Sequence, residues 1–154
     1  MIKTIKKTVF LSIVLMLVFV VTGCTLNREA ITPQDFTAKA ESLGFIVQDV
    51  THQMGGQTVR SLIAIDVASI FQVEFHQVST RVQASAAFIE NQNNLTGIGT
   101  GTTSSRSGAN WARFSTTSGG AYGFVSYIEN TFVFARVPRE HRDAVRKLVD
   151  LLGY

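Results

Sequence analysis

The sequence predicts an α+β fold: an antiparallel sheet of about six strands with helices packed on one face, in the order α-βββ-α-βββ-α. Three observations carry this. Short runs rich in β-branched and aromatic residues come in two groups of three. Stretches with apolar residues at helical spacing precede, separate and follow those groups. Gly-Gly and Glu-Asn pairs stand between the later runs, where tight turns belong.

The first helix starts at Thr32-Pro33-Gln34-Asp35. Thr32 suits the N-cap, Pro33 the first helical position and Asp35 the positive end of the dipole. Phe36, Ala40 and Leu43 share one face, and Gly44 supplies the left-handed C-terminal cap. Residues 45–50 read as a strand. After the Gly55-Gly56 loop, 59–67 and 70–78 read as a hairpin. In the second of these, Phe71, Val73 and Phe75 point one way, and Gln72, Glu74 and His76 the other, giving one buried and one wet face.

Thr80 with Gln83 forms a capping box, and Val82, Ala86 and Ile89 define the apolar face of the helix that follows. Residues 96–110, almost all Gly, Ser and Thr with one Arg, bury too little to order themselves and read as a mobile loop. A three-strand meander then spans 111–117, 121–128 and 131–137, turning at Gly119-Gly120 and Glu129-Asn130. Pro138 opens the last helix, whose inward stripe is His141, Val145, Leu148, Val149 and Leu152, and Gly153 ends it. The two strand groups are offset by about sixty residues, a layout that suggests duplication without a residue-level repeat.

The N-terminus is organised differently. MIKTIKK carries Lys3, Lys6 and Lys7 and no acid, and residues 9–21 are apolar except for Ser12. A spanning helix needs about 20 apolar residues, so this 13-residue run fits a signal-peptide core instead. Thr22, Gly23 and the chain's one cysteine, Cys24, follow. Val21-Thr22-Gly23-Cys24 resembles the lipobox of bacterial lipoproteins. That resemblance covers residues 1–24 and implies cleavage between Gly23 and Cys24, with a diacylglyceryl group on the Cys24 sulfur. It divides the chain into a signal peptide at 1–23, a lipidated tether at 24–31 and a single domain at 32–154. The protein is thereby expected on the extracytoplasmic face of the cell membrane, held there by lipid. The mature domain resembles small envelope lipoproteins of Gram-positive bacteria, a likeness that implies no activity.

The formal charge of +3 misleads. Without the signal's three lysines, 11 basic residues balance 11 acidic ones, so no nucleic-acid partner is expected. An acylated Cys24 leaves no disulfide and no cysteine nucleophile. His52, His76 and His141 lack metal-ligand spacing, so no metal or other cofactor is expected. Gly97, Gly99 and Gly101 follow a helix, not a strand, and no Gly-Lys-Ser/Thr comes after them, which argues against a phosphate loop. The absence of an ATP supply outside the membrane argues the same way.

Glu74 and His76, two apart on one strand, could form an acid–base pair, although a solvated sheet face accounts for them more simply. Arg139, Arg142 and Arg146 lie within about 60° of one another on a helix and could meet anionic headgroups or wall polymers. The acids Glu140, Asp143 and Asp150 beside them favour a salt-bridged helix. Trp111, Tyr122 and Tyr127 are candidate ligand aromatics, with sheet packing the simpler account. The expected function is non-enzymatic binding or interaction close to the membrane surface, with an unidentified envelope partner. An accessory subunit of a membrane complex and a hydrolase using Glu74 and His76 are the alternatives.

Overall fold

A computed structural model of the chain describes residues 27–154, apart from 57, 67, 69–70 and 98–100. The signal peptide, Gly23 and Cys24 lie outside the described residues, as does Gly99. The protein is α+β. Seven strands form one antiparallel sheet: β1 (Ile46–Asp49), β2 (Thr58–Ile65), β3 (Gln72–Val78), β4 (Thr102–Ser107), β5 (Trp111–Ser118), β6 (Ala121–Ile128) and β7 (Thr131–Pro138). Their spatial order is β1-β2-β3-β7-β6-β5-β4, so the two strand groups meet at the β3–β7 pairing. Three helices accompany them: α1 (Pro33–Ser42), α2 (Arg81–Thr96) and α3 (Arg142–Leu152).

The local signals in the sequence have their expected form. Thr32 with Asp35, and Thr80 with Gln83, close reciprocal capping boxes. Gly119 and Gly120 both have positive φ, 59° and 81°, as a two-residue turn between twisted strands requires. The main core lies on the face that carries α1 and α3. There Phe36 stacks on Phe75 with ring centroids 4.9 Å apart, and Val145, Leu148, Val149 and Leu152 pack over Phe124, Val133 and Val137.

The helices do not share that face. Phe124 belongs to the main core, whereas its neighbour Val125 packs with Phe88 and Leu95 of α2. Alternation along β6 therefore puts α2 on the opposite side of the sheet. The apolar face expected for α2 is also not the buried one. Ala84, Phe88 and Leu95 face the sheet, while Val82 and Ile89 are 77% and 54% exposed. Leu95 reaches the sheet because Gly123 leaves room: a Cβ there would meet Leu95 Cγ at 3.2 Å.

The expected loop at 96–110 contains the seventh strand. All six residues of β4 are exposed, so side-chain burial gives no signal. The strand forms because its backbone pairs with β5 from Thr102↔Thr117 to Ser107↔Ala112. Gly101 lets β4 begin, since a Cβ there would collide with the Thr117 carbonyl oxygen and lie 2.7 Å from Ser118 Cβ. Gly101→Ala is expected to detach the first residues of β4. Amide hydrogen exchange should show lost protection confined to β4 and its partners on β5, with the global melting temperature changed little.

The segment before α1 is docked rather than free. Asn110, 5% exposed, accepts a hydrogen bond from Arg28 N at 3.1 Å and donates from Nδ2 to Arg28 O at 2.8 Å. Asn110 Nδ2 also donates to Glu129 Oε1 at 2.6 Å. Ala30 and Ile31 pack against the main core. Of the expected tether, residues 28–31 thus belong to the domain.

Candidate functional site

The acid–base candidate takes an unexpected form. His76 is 6% exposed, not on a wet face, because the side of β3 opposite Phe75 is the side on which α2 packs. Its ring stacks on Phe132 with centroids 4.5 Å apart. Nδ1 lies 3.0 Å from Ser61 Oγ, and Nε2 lies 3.2 Å from Glu74 Oε2. With the ring neutral, Nε2–H donates to the carboxylate and Nδ1 accepts from the hydroxyl. Ser61, His76 and Glu74 are three members of a nucleophile relay, but arranged back to front. Ser61 has no exposure at all, and the carboxylate stands at the open end. An acyl substrate needs the reverse order, with the hydroxyl accessible. The chain braces β2 against β3, across the Ser61↔His76 pair.

The hydrogen bond from His76 is the main cause that holds the Glu74 carboxyl below its ordinary value, against the opposing effect of burial. A depressed folded-state pKa contributes stability above the unfolded value, near 4.5, and that stability is lost as pH falls through the folded value. Glu74→Gln is expected to cost about 1–2 kcal/mol at neutral pH. It should also flatten the pH dependence of urea unfolding below pH 4.5.

The aromatic candidates separate. Tyr122 is buried in the main core beside Arg113, and burial raises its pKa. Tyr127 lies on the other face, edge-on to Phe88 at 5.5 Å. Trp111 lies under the Arg28 guanidinium, whose carbon is 3.9 Å from the ring centroid.

That last contact opens onto the cleft where the charge of this protein is gathered. A cavity of about 450 Å³ lies between the outer strands β4 and β5, the start of α3 and the docked N-terminal segment. Arg28, Arg106, Arg113, Arg139, Arg142 and Arg146 line it, and Asp150 is its one acidic residue. Six of the chain's nine arginines thus surround one space. Thr102, Ser104, Ser115 and Thr117 supply hydroxyls along the strand wall.

Alternation and pairing build it. Arg113 and Ser115 point to the α3 side of β5, and the register places Arg106 opposite Arg113 and Ser104 opposite Ser115. One helical turn and a preceding 3-10 turn, Arg139–His141, bring Arg139, Arg142 and Arg146 to the same side.

Most of these cations have no ion-pair partner among the described residues. Among the described residues, the arginine ion pairs are Arg60–Asp49 and Arg113–Asp150. Arg106, Arg139, Arg142 and Arg146 belong to none, so the salt-bridged helix expected of α3 does not form. Arg113 is held by Asp150 at 3.1 Å and by the Tyr154 main-chain oxygen at 2.7 Å, and its carbon stands 5.0 Å from the Phe124 ring centroid. Arg28 donates to the Gly153 carbonyl at 3.0 Å. Partial burial, then the nearby charges of Arg113 and Arg106, lower the Arg28 pKa. An oxyanion placed among these groups would relieve that repulsion and accept charge-assisted hydrogen bonds.

No protein-family model matches this chain, and no curated protein matches it. Among solved structures it is similar to a GTP binding regulator from Thermotoga maritima, at a TM-score of 0.53 and 11% identity. The alignment covers 83% of this chain and 92% of that one. The likeness is one of fold.

Among the described residues no group of His, Cys, Asp and Glu could hold a metal, and no helix is long and apolar enough to cross a membrane. Helical spacing groups Arg139, Arg142 and Arg146 in the sequence. Arg28, Arg106 and Arg113 are not grouped there, and the one signal for them is Arg113 sharing a strand face with Trp111.

Proposed function

We propose that this chain is an extracytoplasmic lipoprotein, held to the cell membrane by acyl groups on Cys24, whose domain acts by binding anions in the arginine-lined cleft. One observation carries the reading: six arginines converge on about 450 Å³ with a single acidic side chain among them. Folding such a cluster costs self-repulsion, which a bound anion offsets. A binding rather than a catalytic role is supported by the closed position of Ser61 and by the shielding of His76.

The test is calorimetric titration of the processed protein, in neutral detergent, with inorganic phosphate, pyrophosphate and GTP. GTP is included because the Thermotoga protein of similar fold is described as a GTP binding regulator. Binding of at least one oxyanion is expected, weakened roughly tenfold by each of Arg139→Gln and Arg146→Gln. Titrations without heat, or equal affinities in the variants, would remove the cleft as the site.

A second observation favours an accessory-subunit role. Val82 and Ile89 leave an apolar strip on the outer side of α2, on the face of the sheet away from the cleft. Purification from gently solubilised membranes should then yield integral proteins in fixed ratio, and Val82→Ser with Ile89→Ser should release them.

A further inference from the structure

We infer that the arginine cleft opens toward the bilayer and takes the phosphate of anionic phospholipid headgroups, so that the anchored domain reads the charge of the membrane beneath it. This rests on the anchoring and anion-binding reading above and adds the ligand and its orientation.

Three observations lead to it. Arg28 is both a wall of the cleft and the point at which the chain becomes fixed, through Asn110. Cys24 is four residues away, and four extended residues reach at most about 14 Å. With acyl chains on Cys24 in the hydrocarbon, the cleft wall at Arg28 is confined to the headgroup layer and the few ångströms above it. The cleft cannot be turned to the far side of the domain while Asn110 holds that residue.

The lining suits a headgroup and not a lipid tail. Arginines and the hydroxyls of Thr102, Ser104, Ser115 and Thr117 supply donors for phosphate and glycerol oxygens. The apolar surface at the site is taken up by the protein itself: Trp111 lies under Arg28, and the Phe124 ring lies under Arg113. Arg106, Arg139 and Arg146 are exposed and carry no ion pair among the described residues, so their charge is available to a surface of opposite sign. Each cation close to an anionic leaflet contributes about a fivefold gain in membrane affinity.

The experiment uses the processed lipoprotein extracted from membranes and returned to vesicles by its own anchor. Its N-terminal peptide is first weighed to establish that Cys24 is acylated. One set of vesicles is neutral phosphatidylcholine, and the other contains one third phosphatidylglycerol. Both carry the same fraction of headgroup-labelled nitroxide lipid. Trp111, the single tryptophan, reports from beneath Arg28.

Quenching is expected to be at least about twofold greater in the anionic vesicles. It should fall to the neutral value with Arg139→Gln and Arg146→Gln combined, and with soluble glycerophosphoglycerol in excess. Circular dichroism of that variant should show a melt that is not lowered, since both side chains are exposed and their removal relieves repulsion within the cluster. Equal quenching in the two vesicles overturns the proposal. So does a cleft that binds inorganic phosphate in titration while its quenching ignores lipid charge, an outcome that leaves the anion-binding reading standing. A mature chain with an unmodified Cys24 overturns the proposal together with the anchoring reading.

Discussion

Replacing Phe36 by alanine is expected to destabilise the domain by about 3–5 kcal/mol and to lower its melting temperature by roughly 10–20 °C. Phe36 has no exposure and stacks on Phe75, which has none either. Its ring joins α1 to the sheet at the point where α1 also meets α3, through the core shared with Val145 and Leu148. Truncation leaves a void between a helix and a strand, each fixed by backbone hydrogen bonds, so neither can collapse far into it. Val82→Ala provides the contrast. That side chain is 77% exposed, and its loss should cost less than about 0.5 kcal/mol despite its position on a helix. Urea unfolding of the two variants checks both values. A Phe36→Ala cost below about 1 kcal/mol would mean that α1 is not part of the main core.

The second large effect is expected at Asn110. Its amide satisfies the Arg28 backbone in both directions and holds the Glu129 carboxylate, all from a position 5% exposed. Asn110→Ala leaves these groups without that partner, at an expected cost of about 2–4 kcal/mol. The consequence should extend beyond stability. With Arg28 released, the chain before Ala30 should become susceptible to limited proteolysis, and the cleft should lose one of its six cations. Phosphate affinity should fall several-fold, although Asn110 does not itself line the cleft. Asn110→Asp is the informative companion, because it keeps the acceptor for Arg28 N while placing a second carboxylate beside Glu129. It should lose as much stability as alanine does. A proteolysis pattern unchanged in both variants would show that the N-terminal segment is held by Ala30 and Ile31 alone.

The sequence revealed local structure well and assembly poorly, for identifiable reasons. Helix starts were legible at Thr32 and Thr80 because capping is written within four residues. The meander from Trp111 was legible because Gly119-Gly120 allows few other turns. Strand β4 was not, because its stability lies in backbone pairing with β5 and none of its side chains is buried. For α2, Val82, Ala86 and Ile89 made a plausible apolar face. Ala84, Phe88 and Leu95 won because Gly123 leaves room for Leu95 and Phe88 meets Tyr127. The pattern of β3 read as half wet, yet α2 packs on the far side of the sheet and shuts His76 in.

The cleft was hidden for a different reason. Eleven basic and eleven acidic residues in the mature chain give no net charge, and composition is blind to where charges go. Arg28, Arg106 and Arg113 come from three separate segments and meet Arg139, Arg142 and Arg146 only because β4 and β5 lie side by side at one end of the sheet. The neutral total still leaves the field lopsided: Asp150 is the only one of the acids at the cleft, and it is taken up by Arg113.

If these six guanidinium groups form one anion site, the side-chain Nε–H resonances of the nine arginines will report it. On titration with phosphate, Arg28, Arg106, Arg113, Arg139, Arg142 and Arg146 are expected to shift along a common saturation curve, while Arg60, Arg81 and Arg136 stay in place. Nine resonances that drift together without saturating, or six that do not move, would contradict it.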